Sequence, residues 1–123
     1  MREKKILNLL GFASRSRSFV FGKDGIRAYI RGNQKNKIII IASDTGDAVK
    51  EDTVKRCKSH GIIYYILKDY NKEDLSNAMG KLEISVVGVT DENLAAGIID
   101  LVKNGGENDA KDQSIWISKK IRL

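Results

Sequence analysis

The 123-residue chain contains no proline, and it has one cysteine, one histidine and one tryptophan. Without proline, no rigid linker announces itself. Turns must be set by glycine and by Ser, Asp and Asn chemistry. A lone Cys57 cannot close a disulfide within the chain, which fits a reducing compartment. Cys57 and His60 together fall short of the ligand set of a single-chain structural zinc site. Long apolar runs are missing too. The longest, Ile38 to Ala42, has the length of a strand and not the roughly 20 residues that span a bilayer. Behind Met1-Arg2-Glu3-Lys4-Lys5 stands no long apolar region and no small-residue cleavage site. No signal peptide is read, and the expected location is the cytoplasm, away from membranes. Catalytic constellations are equally scarce. Asp44 and Asp47 follow a strand and invite a metal reading, but no third carboxylate, P-loop or glycine fingerprint joins them. They read as a strand end and a helix cap. The expectation is a non-enzyme with no metal and no cofactor.

What is present is positive charge, unevenly placed. The net charge is +6, yet residues 1–40 alone carry ten bases and two acids. Residues 41–104 carry eight bases and eleven acids, and residues 105–123 four bases and three acids. A basic first third on a mildly acidic body predicts a one-sided surface for a polyanion.

Periodicity predicts nine elements. A helix over 3–13 places Ile6, Leu7, Leu10 and Ala13 on one stripe, with turn from Ser14 onward. Phe19-Val20-Phe21 is a short strand. A helix over 23–33 buries Ile26, Tyr29 and Ile30, carries Arg27 and Arg31 on an adjoining face, and stops at Gly32-Asn33. Lys37 to Ser43 is a β-branched run of the kind buried on both faces in a central strand. Thr45 or Asp47 caps a helix over 47–60 that buries Val49, Val54 and Cys57, with Gly61 ending it and His60 at the surface. Strand 62–67 alternates Tyr64 and Tyr65, one buried and the other more exposed. Asn71-Lys72-Glu73-Asp74 reads as a capping box for a helix with Leu75, Ala78 and Met79 inward and Gly80 as its stop. The segment 83–89 holds a strand. Thr90 or Asp91 then caps a last helix with Leu94, Ile98, Leu101 and Val102 at core spacing.

Strict alternation of helix and strand predicts an α/β fold: a three-layer α/β/α sandwich on a mixed central sheet of about four strands, with helices on both faces. Residues 1–104 form this domain. Residues 105–123 are expected to be a flexible polar segment followed by a basic, apolar tail around Trp116, which either docks on the domain or engages a partner.

The most informative stretch is Leu10 to Gly25. A basic Ser/Arg turn with Arg15 and Arg17 leads through the short strand to Gly22, where a helix opens. A helix start offers free N–H groups and the positive end of a dipole to phosphate. Leu10-Gly11-Phe12-Ala13-Ser14-Arg15, Gly22, Ala42-Ser43-Asp44, Asp74-Leu75 with Ala78 and Gly80, and Val86-Val87-Gly88-Val89-Thr90-Asp91 occur in an order and spacing that resemble the ribosomal kink-turn RNA-binding family. That family includes archaeal ribosomal protein L-seven-Ae, and the match is to its small bacterial YlxQ-like branch. The resemblance covers about residues 3–103. It implies a structured RNA partner, with kink-turn ribosomal RNA among the candidates. In that family the RNA is held on one edge by three features, which the resemblance places here at the helix opening at Gly22, at polar side chains of that helix's first turn and at the loop Leu82, Glu83, Ile84, Ser85. Kink-turn binders carry Gly-x-Asn-Glu at the helix start, and here the residues are Gly22, Lys23, Asp24 and Gly25. Asp24 accepts where Asn both donates and accepts, and Gly25 offers no side chain. Asp24 either neutralises Lys23 or caps the helix, or else faces the ligand. Phosphate contacts fall to Arg15, Arg17, Lys23, Arg27 and Arg31. A stress-response branch of the family binds proteins, so the resemblance also admits an interaction adaptor on the same fold, with the ribosome or another protein met through the C-terminal tail.

Overall fold

The computed structural model describes residues 2–81 and 83–104. Five helices and four strands alternate: α1 (Arg2–Arg15), β1 (Phe19–Phe21), α2 (Lys23–Arg31), β2 (Ile38–Ile41), α3 (Asp47–His60), β3 (Ile63–Ile66), α4 (Lys72–Met79), β4 (Val86–Val89) and α5 (Glu92–Asn104). The strands form one sheet in the order β1-β4-β2-β3. β4 runs antiparallel to both β1 and β2, and β2 and β3 are parallel, so the sheet is mixed. The two inner strands, β2 and β4, are buried along their whole length, as the four isoleucines of β2 and the Val-Val-Gly-Val of β4 require. Each such isoleucine contributes about 1.5–3 kcal/mol.

Alternation along β2 divides the core. Ile38 and Ile40 face Ile6 and Leu10 of α1, Leu75 and Met79 of α4, and Ala95 and Ile98 of α5. Ile39 and Ile41 face Ile26, Tyr29 and Ile30 of α2 and Cys57 of α3. Helices therefore cover both faces, in three layers. α2 lies close to the sheet at Gly88, where an added Cβ would sit 2.8 Å from the Tyr29 ring. The Tyr29 hydroxyl donates to the Val89 carbonyl at 2.6 Å and accepts from the Ile38 amide at 2.9 Å. Burial raises its pKa above the usual phenol value.

Several expectations are corrected. Ser14 and Arg15 are still helical. The turn comes two residues later, where Ser18 N donates to Ala13 O at 2.8 Å and Arg17 N to Ser14 O at 3.1 Å. This closes α1 with a left-handed residue at Arg17, φ 57°. α2 ends at Arg31, β2 spans 38–41, β3 spans 63–66 and β4 begins at Val86, each shorter than its apolar run. Neither Thr45 nor Asp47 caps α3. Gly46 is its N-cap, and the Thr45 hydroxyl donates to the carbonyls of Ala42 (2.8 Å) and Ser85 (3.3 Å). Val49 is 49% exposed, because the first turn of α3 overhangs an open groove, and Thr53 takes the buried place beside Cys57. Tyr64 and Tyr65 are both partly buried, since helices cover both faces of β3. Asp24 makes no cap to α2, and Asp44 serves α4 by accepting from Lys72 N at 2.7 Å. The capping box of Asn71 and Asp74 is present, and Asp91 caps α5.

Nothing in its sequence position marks Glu3 for burial, yet it is buried. Its carboxylate accepts from the Tyr65 hydroxyl (2.7 Å), Lys68 N (2.8 Å) and Asp69 N (2.9 Å), which fastens α1 to the loop after β3. Burial alone would raise the Glu3 pKa. The donors from Asp69, Lys68 and Tyr65, with Arg2 nearby, overcome that and hold it below the ordinary value. Burial, reinforced by Glu3, pushes the Tyr65 hydroxyl up to about 12. Trp116 and the rest of the C-terminal tail lie outside the described residues, as does Leu82.

Candidate nucleic-acid interface

Strand register decides which loops meet. Phe21 pairs with Val87 and Ile41 with Val86, so Gly22, the turn after β2 and the loop before β4 share one end of the sheet. α2 starts there without a side-chain cap. Gly22 holds φ 82° and ψ 159°, a conformation essentially reserved for glycine, with nothing within 4 Å of where a Cβ would stand. The first amides of α2 are therefore reached from solvent over a residue with no side chain. Lys23 and Asp24 are exposed beside them. α3 also starts without a side-chain cap.

Between these two helix starts and the loop before β4 lies a groove of about 500 Å³. Its apolar surface comes from Phe21, Ile26, Val49, Ile84 and Val86, and its charged groups from Lys23, Arg27, Asp52, Arg56 and Glu83. Asp52 accepts from Arg56 Nε at 3.0 Å and lies 3.5 Å from an Arg27 terminal nitrogen. The hydrogen bond from Arg56, and the Arg27 charge beyond it, hold the Asp52 carboxyl below the usual carboxylate range. The carboxylate thus sets both guanidiniums over the groove and neutralises one charge of the two. Arg27 Nε is buried with no partner among the described residues.

The loop ahead of β4 is pinned from both sides. Ile84 N donates to the Ser76 hydroxyl at 2.9 Å, and the Ser85 carbonyl accepts from Ala42 N at 2.8 Å. Ile84 is only 2% exposed, so it anchors the loop, whereas Glu83 is exposed.

The structure brings Gly22, Lys23, Arg27, Glu83, Ile84 and Ser85 to one groove. Arg15 and Arg17 lie outside the groove, at the end of α1 and at the opposite end of edge strand β1 from Gly22. Arg31 is exposed at the far end of α2, about 12 Å along the axis from Lys23. Sequence reasoning missed Val49, Asp52 and Arg56. The i, i+4 spacing of Asp52 and Arg56 was a usable signal. Their meeting with Arg27 was not, because it depends on how α2 and α3 pack.

The model of the ribosomal protein L7Ae/L30e/S12e/Gadd45 family matches residues 4–98. The chain belongs to this family. The L7Ae-family match encloses both uncapped helix starts and the loop before β4. RNA-binding protein YlxQ of Bacillus subtilis (strain 168) is 30% identical over 94 residues, covering 76% of this chain and 91% of that protein. Among solved structures, a Bacillus halodurans protein of unknown function superposes with a TM-score of 0.69 at 30% identity, over 80% of this chain and 96% of its own. A Giardia lamblia 15.5kD RNA binding protein gives 0.66 at 21% identity, over 82% and 87%. That last likeness is one of fold. Among the described residues no helix is long and apolar enough to cross a membrane.

Proposed function

We propose that this L7Ae-family chain is a non-catalytic RNA-binding protein, that its ligand is a structured RNA of the ribosomal kink-turn type, and that it acts on ribosomal RNA in the cytoplasm. One observation carries the reading: a glycine-started, uncapped helix faces the loop at Glu83 across a groove whose rim holds Lys23, Arg27 and Arg56. Free amides and three cations suit phosphate oxygens. The apolar surface beneath them suits the face of a base. Asp24, exposed and capping nothing, is an acceptor for the exocyclic amine of guanine or cytosine. The similarity to a protein named for RNA binding, over nine-tenths of its length, supports the same ligand class here.

The test is binding to a labelled kink-turn RNA and to an equal-length plain duplex, each at low and moderate salt. The kink-turn should be preferred, and the preference should persist at moderate salt. Lys23→Ala with Arg27→Ala should weaken binding and reduce the salt slope by about 0.7–0.9 for each phosphate no longer neutralised. Equal, steeply salt-dependent binding to both RNAs would refute the kink-turn assignment and leave a backbone binder. Binding to neither would overturn the RNA reading in favour of a protein adaptor.

A further inference from the structure

Phe12, Phe21 and Val49 are the large apolar side chains left exposed among the described residues, at 53%, 42% and 49%. Scattered single residues of this kind are ordinary on protein surfaces. These three are not scattered. Val49 and Phe21 line the groove described above. Phe21 stacks on Phe19 with ring centroids 5.9 Å apart, and the Lys81 ammonium stands 5.8 Å from both centroids. Arg15 lies 4.6 Å over the Phe12 ring. The two cation–aromatic groups belong to one stretch of surface. The Ser14 hydroxyl donates to the Met79 carbonyl at 2.6 Å, tying the end of α1 to the end of α4 just before Lys81. The Arg15 guanidinium and the Ala78 carbonyl lie 3.6 and 3.9 Å from the same point above Gly11. A row of exposed rings and cations thus runs from α1, past the end of α4, along edge strand β1 and into the groove.

We infer that this row is a stacking platform for unpaired nucleotides that flank the structured RNA in the groove. The inference rests on the RNA-binding reading and extends it beyond the groove. Aromatic faces with cations beside them accept any base by stacking while the cations hold the backbone, and this is how single strands are bound without sequence preference. A bare apolar partner would leave Arg15 and Lys81 to be desolvated without an anion. A phosphate chain supplies that anion.

The test uses one RNA hairpin for the groove in two forms, blunt and carrying five unpaired nucleotides at either end, with 2-aminopurine in the extension. The wild-type chain should bind one extended form roughly tenfold more tightly than the blunt form. The 2-aminopurine emission should be quenched on binding. Phe12→Ala, outside the groove, should reduce that gain and the quenching while leaving the affinity for blunt RNA within about twofold, and Phe21→Ala, which also removes part of the groove wall, should reduce the gain and the quenching as well. Phe21→Trp should retain both. Thermal melting followed by circular dichroism checks that the variants fold. If blunt RNA binds and the extension adds nothing, or the gain survives both alanine variants, the platform is overturned and the groove reading stands. If neither form binds, both are overturned.

Discussion

Arg17 sits where a helix ending of this geometry usually places glycine. Its φ of 57° and the bonds from Ser18 N to Ala13 O and Arg17 N to Ser14 O define a left-handed C-terminal turn. A residue with a Cβ costs roughly 1–2 kcal/mol there. Arg17→Gly removes that strain but loosens the unfolded chain by about 0.4–1 kcal/mol. The net expectation is a gain of about 0.5–1 kcal/mol, or about 2–4 °C in melting temperature for a domain of this size. Arg17→Ala keeps the Cβ and removes only the charge, so it should melt close to wild type. If Arg17 contacts phosphate, both variants should lose affinity for RNA alike. The salt slope should fall by about 0.7–0.9, the value for one neutralised phosphate. Lys55→Ala, an exposed lysine on α3, controls for loss of net charge. Melting curves and RNA titrations at three salt concentrations read all of this out. A glycine variant no more stable than the alanine variant would refute the strain argument. Unchanged binding in both would refute the phosphate contact.

Gly22→Ala should go the other way in stability and the same way in binding. The backbone there costs about 1–3 kcal/mol for alanine, melting should drop accordingly, and the new methyl should impede approach to the α2 amides; affinity for RNA measured well below the melting range checks this. Tyr29→Phe leaves the buried Ile38 amide and Val89 carbonyl without the hydroxyl. It should cost about 2–3 kcal/mol and speed hydrogen exchange at Ile38. Glu3 is held charged in the fold below its unfolded pKa, so its contribution is complete above about pH 4.3 and is lost as pH falls through the lower folded value. Glu3→Gln should therefore cost about 2 kcal/mol at pH 7. Denaturant titrations across pH should show the gap to wild type closing in acid.

The order of elements, the two-sided sheet and the central isoleucine strand were legible in the sequence because each rests on local periodicity. The run Ile38–Ile41 has no polar residue to place outward, so it had to be an inner strand. Helix starts were legible where a side chain caps them, as at Asn71 and Asp91, and were misread at Gly46, where Thr45 turns to the Ala42 and Ser85 carbonyls instead. The groove was half legible. Gly22 and Lys23 follow from a helix-opening pattern. Its other wall, the loop at Glu83, Ile84 and Ser85, was named only through the family resemblance: it depends on the antiparallel register of β4 against β1 and β2, which joins residues about 45 to 70 positions apart, and no local pattern encodes it. Val49 shows the same limit. Its spacing with Thr53 and Cys57 is that of a core stripe, yet the stripe runs past the end of the sheet and the first member stands in the open.

The helix starts themselves argue for where the ligand lies. α4 and α5 satisfy their first amides with Asn71 and Asp91, so the chain has the means to cap a helix and uses it. α2 and α3 do without, and both open on the same groove. At α2 the departure is threefold: a glycine in a conformation that strains any other residue, no side-chain cap, and Lys23 at the first helical position, where positive charge opposes the helix dipole and only Asp24 beside it offsets that. Each choice costs stability in the free protein. Together they leave uncapped N–H donors and the exposed Lys23 ammonium at one space, beside the Arg27–Asp52–Arg56 cluster with its one net positive charge. Local rules broken together at one place are the pattern expected of a functional site, which supports the proposed interface. The polyanion of the proposed function would repair all three: its oxygens would take the amides, its charge would balance Lys23, and its approach would use the missing side chain at Gly22.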